Sequence, residues 1–361
     1  AAALAPVLLN IVLIGAMALA VMNRLPVGDT RLLDYVIYGV VLAGLAQFLF
    51  VFAAARRAAL RPVLARPVIS DDVRKVWRLA VPGILAAGIG QINLLIGTSI
   101  ATGQSGAAAW LYYADRLYQL PMGVIGVALS VALLPELARR LAAGDADAAH
   151  RTQERAVLAA HGLTVPACVG LAVLATPIVR LLFERGAFTP ADTQITAMLI
   201  ILFSFGLPAF VLVKALQPSF FARQDTRAPL IDGAVGVGVN IVLSLSLFPL
   251  YGAPAIAFAT VMAGWVTLVL MLVRLARRGV YRLSWSVLRR LGGQLAAASL
   301  MGVLLAQAAF YLPPPVASAS FLAQALWLSG FIGAGILFYA LAVLALGGLR
   351  LADIRLLRGH R

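Results

Sequence analysis

The sequence predicts an all-α, polytopic transmembrane helix bundle of about ten spans. Hydrophobic residues make up 62% of the 361 residues and charged residues only 12%, and the mean hydropathy is +0.96. A soluble domain carries roughly 25% charged residues. The apolar residues are also collected into runs of the length, about 20 residues, that an α-helix needs to cross a hydrocarbon core of about 30 Å.

Ten segments meet this length requirement. They lie roughly at 1–22, 33–55, 79–101, 106–138, 156–178, 194–216, 228–248, 252–273, 290–312 and 321–347. The fourth is too long for one straight span, and Pro121 has no N–H to donate. We therefore expect Pro121 to break it into a polar half-helix and an apolar remainder. Pro166 and Pro208, inside the fifth and sixth spans, predict kinks.

The distribution of charge over the loops supports this count and orients the spans. When the loops are assigned alternately to two sides, one side holds 24 Lys and Arg residues, including Lys214, and the other holds 4, with Arg116 left over. An excess of Lys and Arg marks the cytoplasmic side. Both ends of the chain, and the C-terminus in particular, are therefore predicted to be cytoplasmic. Membrane topology accounts for the net charge of +15, so no nucleic-acid partner is predicted.

The sequence carries no pattern that is typical of a cofactor or a catalytic centre. The single Cys168 lies in an apolar run, and His150, His161 and His360 are scattered, with no cluster of carboxylates or cysteines around them. Metal-ligand spacings, an activated nucleophile and a phosphate-binding loop are not recognisable. We therefore predict no metal, no cofactor and no enzymatic activity.

The polar stretch at the start of the fourth span is the first candidate binding element. At helical spacing, one face consists of Tyr112, Asp115, Arg116 and Gln119, and the other of Trp110, Tyr113, Leu117 and Leu120. A charge inside a membrane indicates function, and the planar fork of arginine matches a phosphate. We predict that Arg116 faces a central cavity and binds an anionic group, while Asp115 orients it or holds a proton or cation. The alternative is that both residues anchor the half-helix among lipid headgroups.

Amide side chains inside other spans are further candidates. Gln91, Asn93 and Asn240 lie within apolar segments and are predicted as polar residues of the same cavity. Hydrogen bonding between helices is the simpler explanation for them, because an amide in hydrocarbon needs a partner.

Other charged residues have structural explanations. Asp232 lies near the start of a span, where a helix cap or an interfacial position is expected. Glu136 should pair with Arg139 or Arg140, which follow it at i+3 and i+4. The sequence from Thr189 to Asp192, with Pro190 between them, predicts a capped helix start.

A weak internal repeat suggests how the spans are grouped. The segment at 5–13 recurs loosely at 228–230 and 240–243, and the second span of each copy ends in Ala-Arg-Arg, at 55–57 and 276–278. Parallel six-helix repeats occur in transporters, although a chance match is the alternative for so short a similarity. The repeat predicts that spans three to eight form one lobe, that spans one and two end an earlier lobe whose first four helices are missing, and that spans nine and ten are an extra pair.

Several segments together resemble the MurJ (MviN) lipid II flippases of the multidrug/oligosaccharidyl-lipid/polysaccharide exporter superfamily. They are 5–10, 110–121, 183–189 and 221–226, and the run Leu-Tyr-Tyr-Ala-Asp-Arg-Leu at 111–117 is the most specific. The family has fourteen spans, in two six-helix lobes and a final helix pair, so the resemblance implies that this chain corresponds to spans five to fourteen.

The resemblance also implies a division of the chain. Residues 1–60 would hold the last two helices of the N-terminal lobe, residues 61–280 a complete C-terminal lobe, and residues 281–361 the extra helix pair and a basic cytoplasmic tail. The helix pair would form a groove for a lipid tail.

The activity that the resemblance implies is transport of undecaprenyl-pyrophosphate-linked peptidoglycan precursor, lipid II, from the cytoplasmic to the periplasmic leaflet of the bacterial inner membrane by alternating access. The implied partners are lipid II, membrane lipids and proteins of cell-wall synthesis. The aspartate and arginine of the family's polar run map onto Asp115 and Arg116. Where some members carry an acidic residue just after it, this sequence has Tyr118 and Gln119. Where some have an acidic sodium ligand, the span at 79–101 has no acid.

Two other functions remain open from the sequence. A drug or cation antiporter of the same superfamily would need a buried carboxylate that exchanges protons. A membrane enzyme acting on polyprenyl phosphates would need clustered acids or histidines on a cytoplasmic loop.

Overall fold

The computed structural model describes residues 5–23, 31–57, 74, 77, 93–315 and 320–349. Over these ranges the regular elements are all helices, and eight of them are long and apolar enough to cross a membrane. The predicted all-α, polytopic bundle is therefore confirmed. The chain divides into two compact units, Ala1–Trp77 and Arg78–Arg361.

The first unit contains two paired helices, α1 (Ala5–Met22) and α2 (Arg31–Arg57). They correspond to the first two predicted spans. Where they pack, a Cβ built at Gly39 of α2 would lie 3.0 Å from the Cβ of Ala16 on α1. At one end Asn23 Nδ2 donates a hydrogen bond of 2.8 Å to the hydroxyl of Tyr35.

The second unit begins, in its described part, with a helical stretch at 93–101, here called α3. The elements that follow are α4 (Ala107–Pro121), a π-helical segment (Met122–Val127), α5 (Ala128–Ala142), α6 (Ala146–Val173), α7 (Ala175–Phe183), α8 (Pro190–Phe221), α9 (Arg227–Tyr251), α10 (Ala253–Arg277), α11 (Trp285–Tyr311) and α12 (Phe321–Ala345). Most of the predicted third span, 79–101, lies outside the described residues.

The fifth predicted span differs from the structure at both ends. Helix α6 begins at Ala146, ten residues before the predicted start, because Asp145 caps it by accepting a hydrogen bond of 2.8 Å from the N–H of Ala148. Arg151 and Arg155, which we expected in a loop, therefore lie in the first turns of α6. The helix ends at Val173, and the rest of the predicted span forms α7.

The expected break at Pro121 is not a break in the helix. Helix α4 includes Pro121, and the chain continues through the π-helical segment Met122–Val127 into α5. Proline has no N–H to donate, and a π-helical turn carries i→i+5 hydrogen bonds in place of the regular i→i+4 pattern. This altered pattern lets the helix continue past Pro121 despite the missing donor. The whole stretch Ala107–Ala142 is a helix of 36 residues with a widened segment near its middle.

Helix α8 is the centre of the second unit. Two thirds of its most apolar window, 67%, is buried, and Leu207, Val211 and Leu216 are completely enclosed. It packs against α4, α6 and α10. Apolar contact is what orders these helices around α8, and it places the polar face of α4 beside α9 and α10.

A buried amide fastens the last two helices to α6. Gln294 of α11 contacts His161 Nδ1 at 2.8 Å and donates to the carbonyls of Leu158 and Gly348, both at 3.1 Å. On α12 the hydroxyl of Tyr339 donates to the carbonyl of Gly162 at 2.7 Å. Side-chain hydrogen bonds between helices contribute to helix association in a membrane bundle, so the helix pair is held to α6 by polar as well as apolar contact.

Two of the predicted local structures are confirmed. Glu136 pairs with Arg139 at 3.0 Å and with Arg140 at 2.8 Å. Thr189 and Asp192 form a reciprocal capping box at the start of α8, with proline at the first helical turn.

The explanation of Asp232 as a helix cap was wrong. Its carboxylate is only 1% exposed and accepts two hydrogen bonds from the guanidinium of Arg274, at 2.6 and 3.1 Å. Helix α9 begins at Arg227, which places Asp232 in its second turn rather than at a cap. Arg274 reaches it from α10, so the pair joins the two helices.

Candidate functional site

The start of α4 is fixed in place before its polar face begins. Gly106 has a φ of 82°, which only glycine adopts without strain, and a Cβ there would lie 2.7 Å from the indole of Trp110. Trp110 Nε1 donates a hydrogen bond of 2.7 Å to Asp192 at the start of α8. These contacts set the rotation of α4 about its axis and hence the direction of its polar side chains.

Arg116 and Tyr112 lie on the exposed side of α4. The guanidinium carbon of Arg116 is 4.7 Å from the centre of the Tyr112 ring, and Tyr112 is 56% exposed. Arg116 is exposed and makes no ion pair with any residue that the structure describes. Its charge is thus available to a ligand.

Asp115 and Gln119 are half-buried and lie beside each other. Gln119 Nε2 donates a hydrogen bond to the carboxylate of Asp115. The carboxylate therefore has an amide partner from its own helix.

The apolar face of α4 differs from the prediction at its end. Leu120 is 64% exposed, whereas Tyr118 is only 7% exposed and its ring stacks on that of Phe203 at 4.9 Å. The buried stripe runs through Ala114, Leu117 and Tyr118. The ring of Tyr118, stacked on Phe203 of α8, fills the interface between α4 and α8. Leu120, near the π-helical segment, lies outside this interface.

A cavity of about 320 Å³, here called the first cavity, opens beside Asp115. The polar residues that line it are Asn93, Thr98, Tyr112, Asp115, Tyr118, Asn240 and Thr260. Four predicted site residues, Tyr112, Asp115, Asn93 and Asn240, thus share one cavity. Arg116 and Gln119 are not among its lining residues, and Gln91 lies outside the described part of the chain.

The amide residues fit both explanations that the sequence left open, namely cavity lining and hydrogen bonding between helices. Asn240 Nδ2 donates a hydrogen bond of 2.9 Å to Thr260, which joins α9 to α10 as the simpler explanation predicted. Asn240 also lines the cavity. Asn93 Oδ1 is buried and has no hydrogen-bond partner among the described residues.

A second cavity of about 380 Å³ adjoins the first. Asn93, Asn240 and Thr260 line both cavities. The further polar residues of the second cavity are Lys214, Gln217 and Thr267. The two cavities together form a polar surface from α4 through α9 and α10 to α8.

Lys214 is the site residue that the sequence analysis missed. We expected it in a cytoplasmic loop, but it lies two turns before the end of α8, which extends to Phe221. Its side chain lies against Gly126, near the middle of the 36-residue helix Ala107–Ala142. The signal in the sequence was its position within the apolar run 209–216, with no second charge beside it.

Long apolar helices with connected polar cavities between them define a polytopic membrane protein with a polar interior. The chain belongs to the family of the lipid II flippase MurJ, whose family model matches residues 1–341. The probable lipid II flippase MurJ of Rhizobium meliloti (strain 1021) is 43% identical over 357 residues, which cover 98% of this chain and 66% of that protein. The lipid II flippase MurJ of Burkholderia cenocepacia is 32% identical over 318 residues, 83% of this chain and 59% of that protein.

Solved structures agree on the fold. The lipid II flippase MurJ in an inward closed conformation matches with a TM-score of 0.74 and 22% identity, over 94% of this chain and 66% of that chain. A MATE transporter in the bent conformation matches with a TM-score of 0.51 and 17% identity, over 76% of this chain and 64% of that chain. The chain spans about two thirds of the length of these relatives, 66% for the Rhizobium meliloti protein.

Proposed function

We propose that this protein moves lipid II, the undecaprenyl-pyrophosphate-linked peptidoglycan precursor, from the cytoplasmic to the periplasmic leaflet of the bacterial inner membrane. Membership of the lipid II flippase MurJ family is the observation that carries the proposal. The guanidinium of Arg116 supports it, because this group is exposed, lies beside a polar cavity and has no ion-pair partner among the described residues. A cation at this position has a use in binding an anionic headgroup.

Arg116 binds the pyrophosphate in this proposal. A guanidinium presents paired N–H donors in a plane and matches two phosphate oxygens at once. The Tyr112 ring beneath it restricts the side chain before the lipid arrives. Asp115 lines the first cavity next to this cation and, with its partner Gln119, orients the headgroup through hydrogen bonds.

The arrangement of lobes is part of the proposal. Residues 1–60 end one six-helix lobe, residues 61–280 form the second, and residues 281–361 add the helix pair that holds the lipid tail. Alternating access then means that the two lobes open the polar cavities first to one side of the membrane and then to the other.

The orientation follows from the Lys and Arg excess on one side. Cysteines introduced near Arg282 should react with an impermeant reagent only from the cytoplasm, and cysteines near Pro314 only from the periplasm. The opposite accessibility at either position would overturn the orientation and the cytoplasmic C-terminus.

An antiporter of the same superfamily is the second candidate, and the buried carboxylate of Asp232 is the observation that would favour it. The two hydrogen bonds from Arg274 neutralise this carboxylate, which disfavours proton or cation exchange there. For an enzyme acting on polyprenyl phosphates, the described residues contain no group of three or more His, Cys, Asp or Glu side chains placed to hold a metal.

The test is transport itself. The protein, expressed from its complete gene and reconstituted in vesicles, should move fluorescent lipid II across the bilayer, and it should restore growth to a strain depleted of its own flippase. Export of cationic drugs without movement of lipid II would replace the proposal with the antiporter.

A further inference from the structure

Lys214 is a cation inside the bundle with no counterion in the part of the chain that the structure describes. It is half-buried, and its ammonium makes no ion pair or hydrogen bond with any residue that the structure describes. It is also the one charged side chain among the described residues that line the second cavity. Charged groups in a membrane bundle are costly and face a partner or a ligand site. The cavity in front of Lys214 is where such a partner would lie.

The surrounding backbone holds Lys214 in this position. A Cβ built at Gly126 would lie 2.7 Å from Lys214 Cδ, so the lysine stem lies where any other side chain at 126 would be. Gly126 belongs to the π-helical segment, and Ser130 donates to the carbonyls of both Gly126, at 2.9 Å, and Lys214, at 3.0 Å. Single π-helical turns occur frequently at functional sites. Here the widened turn makes room for the stem of a cation.

The rest of the cavity suits a peptide rather than a bare inorganic anion. Its amide and hydroxyl groups come from Asn93, Gln217, Asn240, Thr260 and Thr267. Its apolar surface comes from Met122, Phe210, Val213 and Val237. Gly233 leaves open space along α9, whereas the space beside Gly236 and Gly264 is filled by Thr267 and Phe210. A volume of about 380 Å³ is within the range of small-ligand sites.

We propose that the second cavity binds a carboxylate of the peptide part of the transported headgroup, with Lys214 as its counterion. This inference rests on the proposed function and deepens it. One ammonium balances one carboxylate, whereas a pyrophosphate carries more charge and is matched by the bidentate fork of an arginine. The two cavities share Asn93, Asn240 and Thr260, so a headgroup whose phosphates meet Arg116 can extend along this polar surface toward Lys214.

The experiment compares two lipids that differ in the headgroup. Binding of lipid II and of undecaprenyl pyrophosphate, which has no peptide, is measured with the purified protein expressed from its complete gene. Lys214→Met should weaken lipid II binding roughly ten- to hundredfold, as expected for loss of a hydrogen bond to a charged group, and leave undecaprenyl pyrophosphate binding unchanged. Lys214→Arg should retain lipid II binding. Arg116→Ala should weaken binding of both lipids.

A second measurement needs no substitution. Lipid II with its peptide carboxylates converted to amides should bind the unaltered protein as weakly as unmodified lipid II binds Lys214→Met. An equal loss of affinity for both lipids in Lys214→Met would assign Lys214 to the pyrophosphate. Undiminished binding of amidated lipid II would show that the cavity binds no carboxylate. Either result overturns this inference and leaves the proposed function standing. If the unaltered protein binds neither lipid, the proposed function fails with it.

Discussion

The guanidinium carbon of Arg116 lies 4.7 Å from the centre of the Tyr112 ring, one helical turn earlier on α4. At exposed sites, a cation over an aromatic face contributes about 0.5–1 kcal/mol. That is too little to hold Arg116 against a pyrophosphate but enough to restrict its rotamers. The pair therefore presents the planar group on the exposed side of α4 before a ligand binds.

Replacing Arg116 tests whether this planar group or merely its charge matters. Arg116→Lys should impair complementation of a flippase-depleted strain because an ammonium cannot bind two oxygens in a plane. Arg116→Ala should be worse, since loss of one partner of a desolvated charge pair costs about 2–5 kcal/mol. Membrane levels should persist, because a central arginine opposes insertion by roughly 2.5–3.5 kcal/mol.

Arg151→Ala is the control for Arg116, because Arg151 is an exposed arginine near the start of α6. It should complement fully. If Arg116→Ala also complements fully at normal membrane levels, the headgroup-anchor explanation is correct and the binding role is wrong.

Two glycines of the π-helical segment, Gly126 and Gly123, provide a test position and a matched control. A Cβ at Gly126 would meet the Lys214 stem at 2.7 Å, whereas a Cβ at Gly123 would have no neighbour within 4 Å among the described residues. Gly126→Ala should therefore displace Lys214 and lower lipid II transport, and Gly123→Ala, with the same change in helix propensity, should not. Transport rates in vesicles measure both variants. Equal rates would mean that the Lys214 stem moves aside without consequence.

The helices were predictable because hydrophobic length determines a span. The apolar runs around 33–55, 252–273 and 321–347 each appear as one helix close to the predicted bounds. The start of α6 was placed ten residues late because its first turns carry Arg151 and Arg155, and a hydropathy threshold cannot follow an amphipathic helix beyond the apolar core.

Polar residues inside different apolar spans could be assigned to one cavity from the sequence, and four of them line it. The contacts between particular side chains were predictable only within one helix. Periodicity alone places Tyr112 and Arg116 together, since they are four positions apart and lie on one face of α4. Lys214 meets Gly126 across two helices, 88 positions apart in the chain, and no local pattern reports such a contact. The pairing of Asp232 with Arg274 is likewise a contact between α9 and α10.

The environment of Asp225, which lies between α8 and α9, leads us to expect a loss of stability in acid. Its partial burial raises its pKa, but hydrogen bonds from Arg278 and from the backbone of Ala228 and Arg227 outweigh this, so its pKa lies below the ordinary 3.8. A carboxyl with a lowered pKa stabilises the folded state above its unfolded pKa, and this contribution is lost as the pH falls through the folded pKa. Stability should therefore fall below about pH 4.

The measurement is the apparent melting temperature in detergent between about pH 3 and 7, where unpaired carboxyl groups titrate. Asp225→Asn should lower the melting temperature near neutral pH and flatten its decline in acid. A decline that is unchanged in Asp225→Asn would assign the acid sensitivity to other carboxylates.

The buried pair of Asp232 and Arg274 predicts an asymmetric cost. Asp232 is 1% exposed, whereas the Arg274 side chain is 32% exposed. Arg274→Met would leave a carboxylate buried without a partner, which costs roughly 3–5 kcal/mol. Asp232→Asn leaves a guanidinium that water can still reach, so its cost should be smaller. The double variant should recover much of the loss in Arg274→Met, because no unpaired charge remains.

Apparent melting temperatures of the two single variants and the double variant close this cycle, with lipid II transport measured in parallel. A cost for Asp232→Asn equal to that for Arg274→Met would contradict the asymmetry. The transport measurement distinguishes a structural role of Asp232 from a role in proton exchange. If the pair only joins α9 to α10, the Asp232→Asn variant should transport lipid II in proportion to its folded amount. Complete loss of transport by a stably folded Asp232→Asn protein would instead show that this carboxylate must ionise during the cycle, as the antiporter alternative requires.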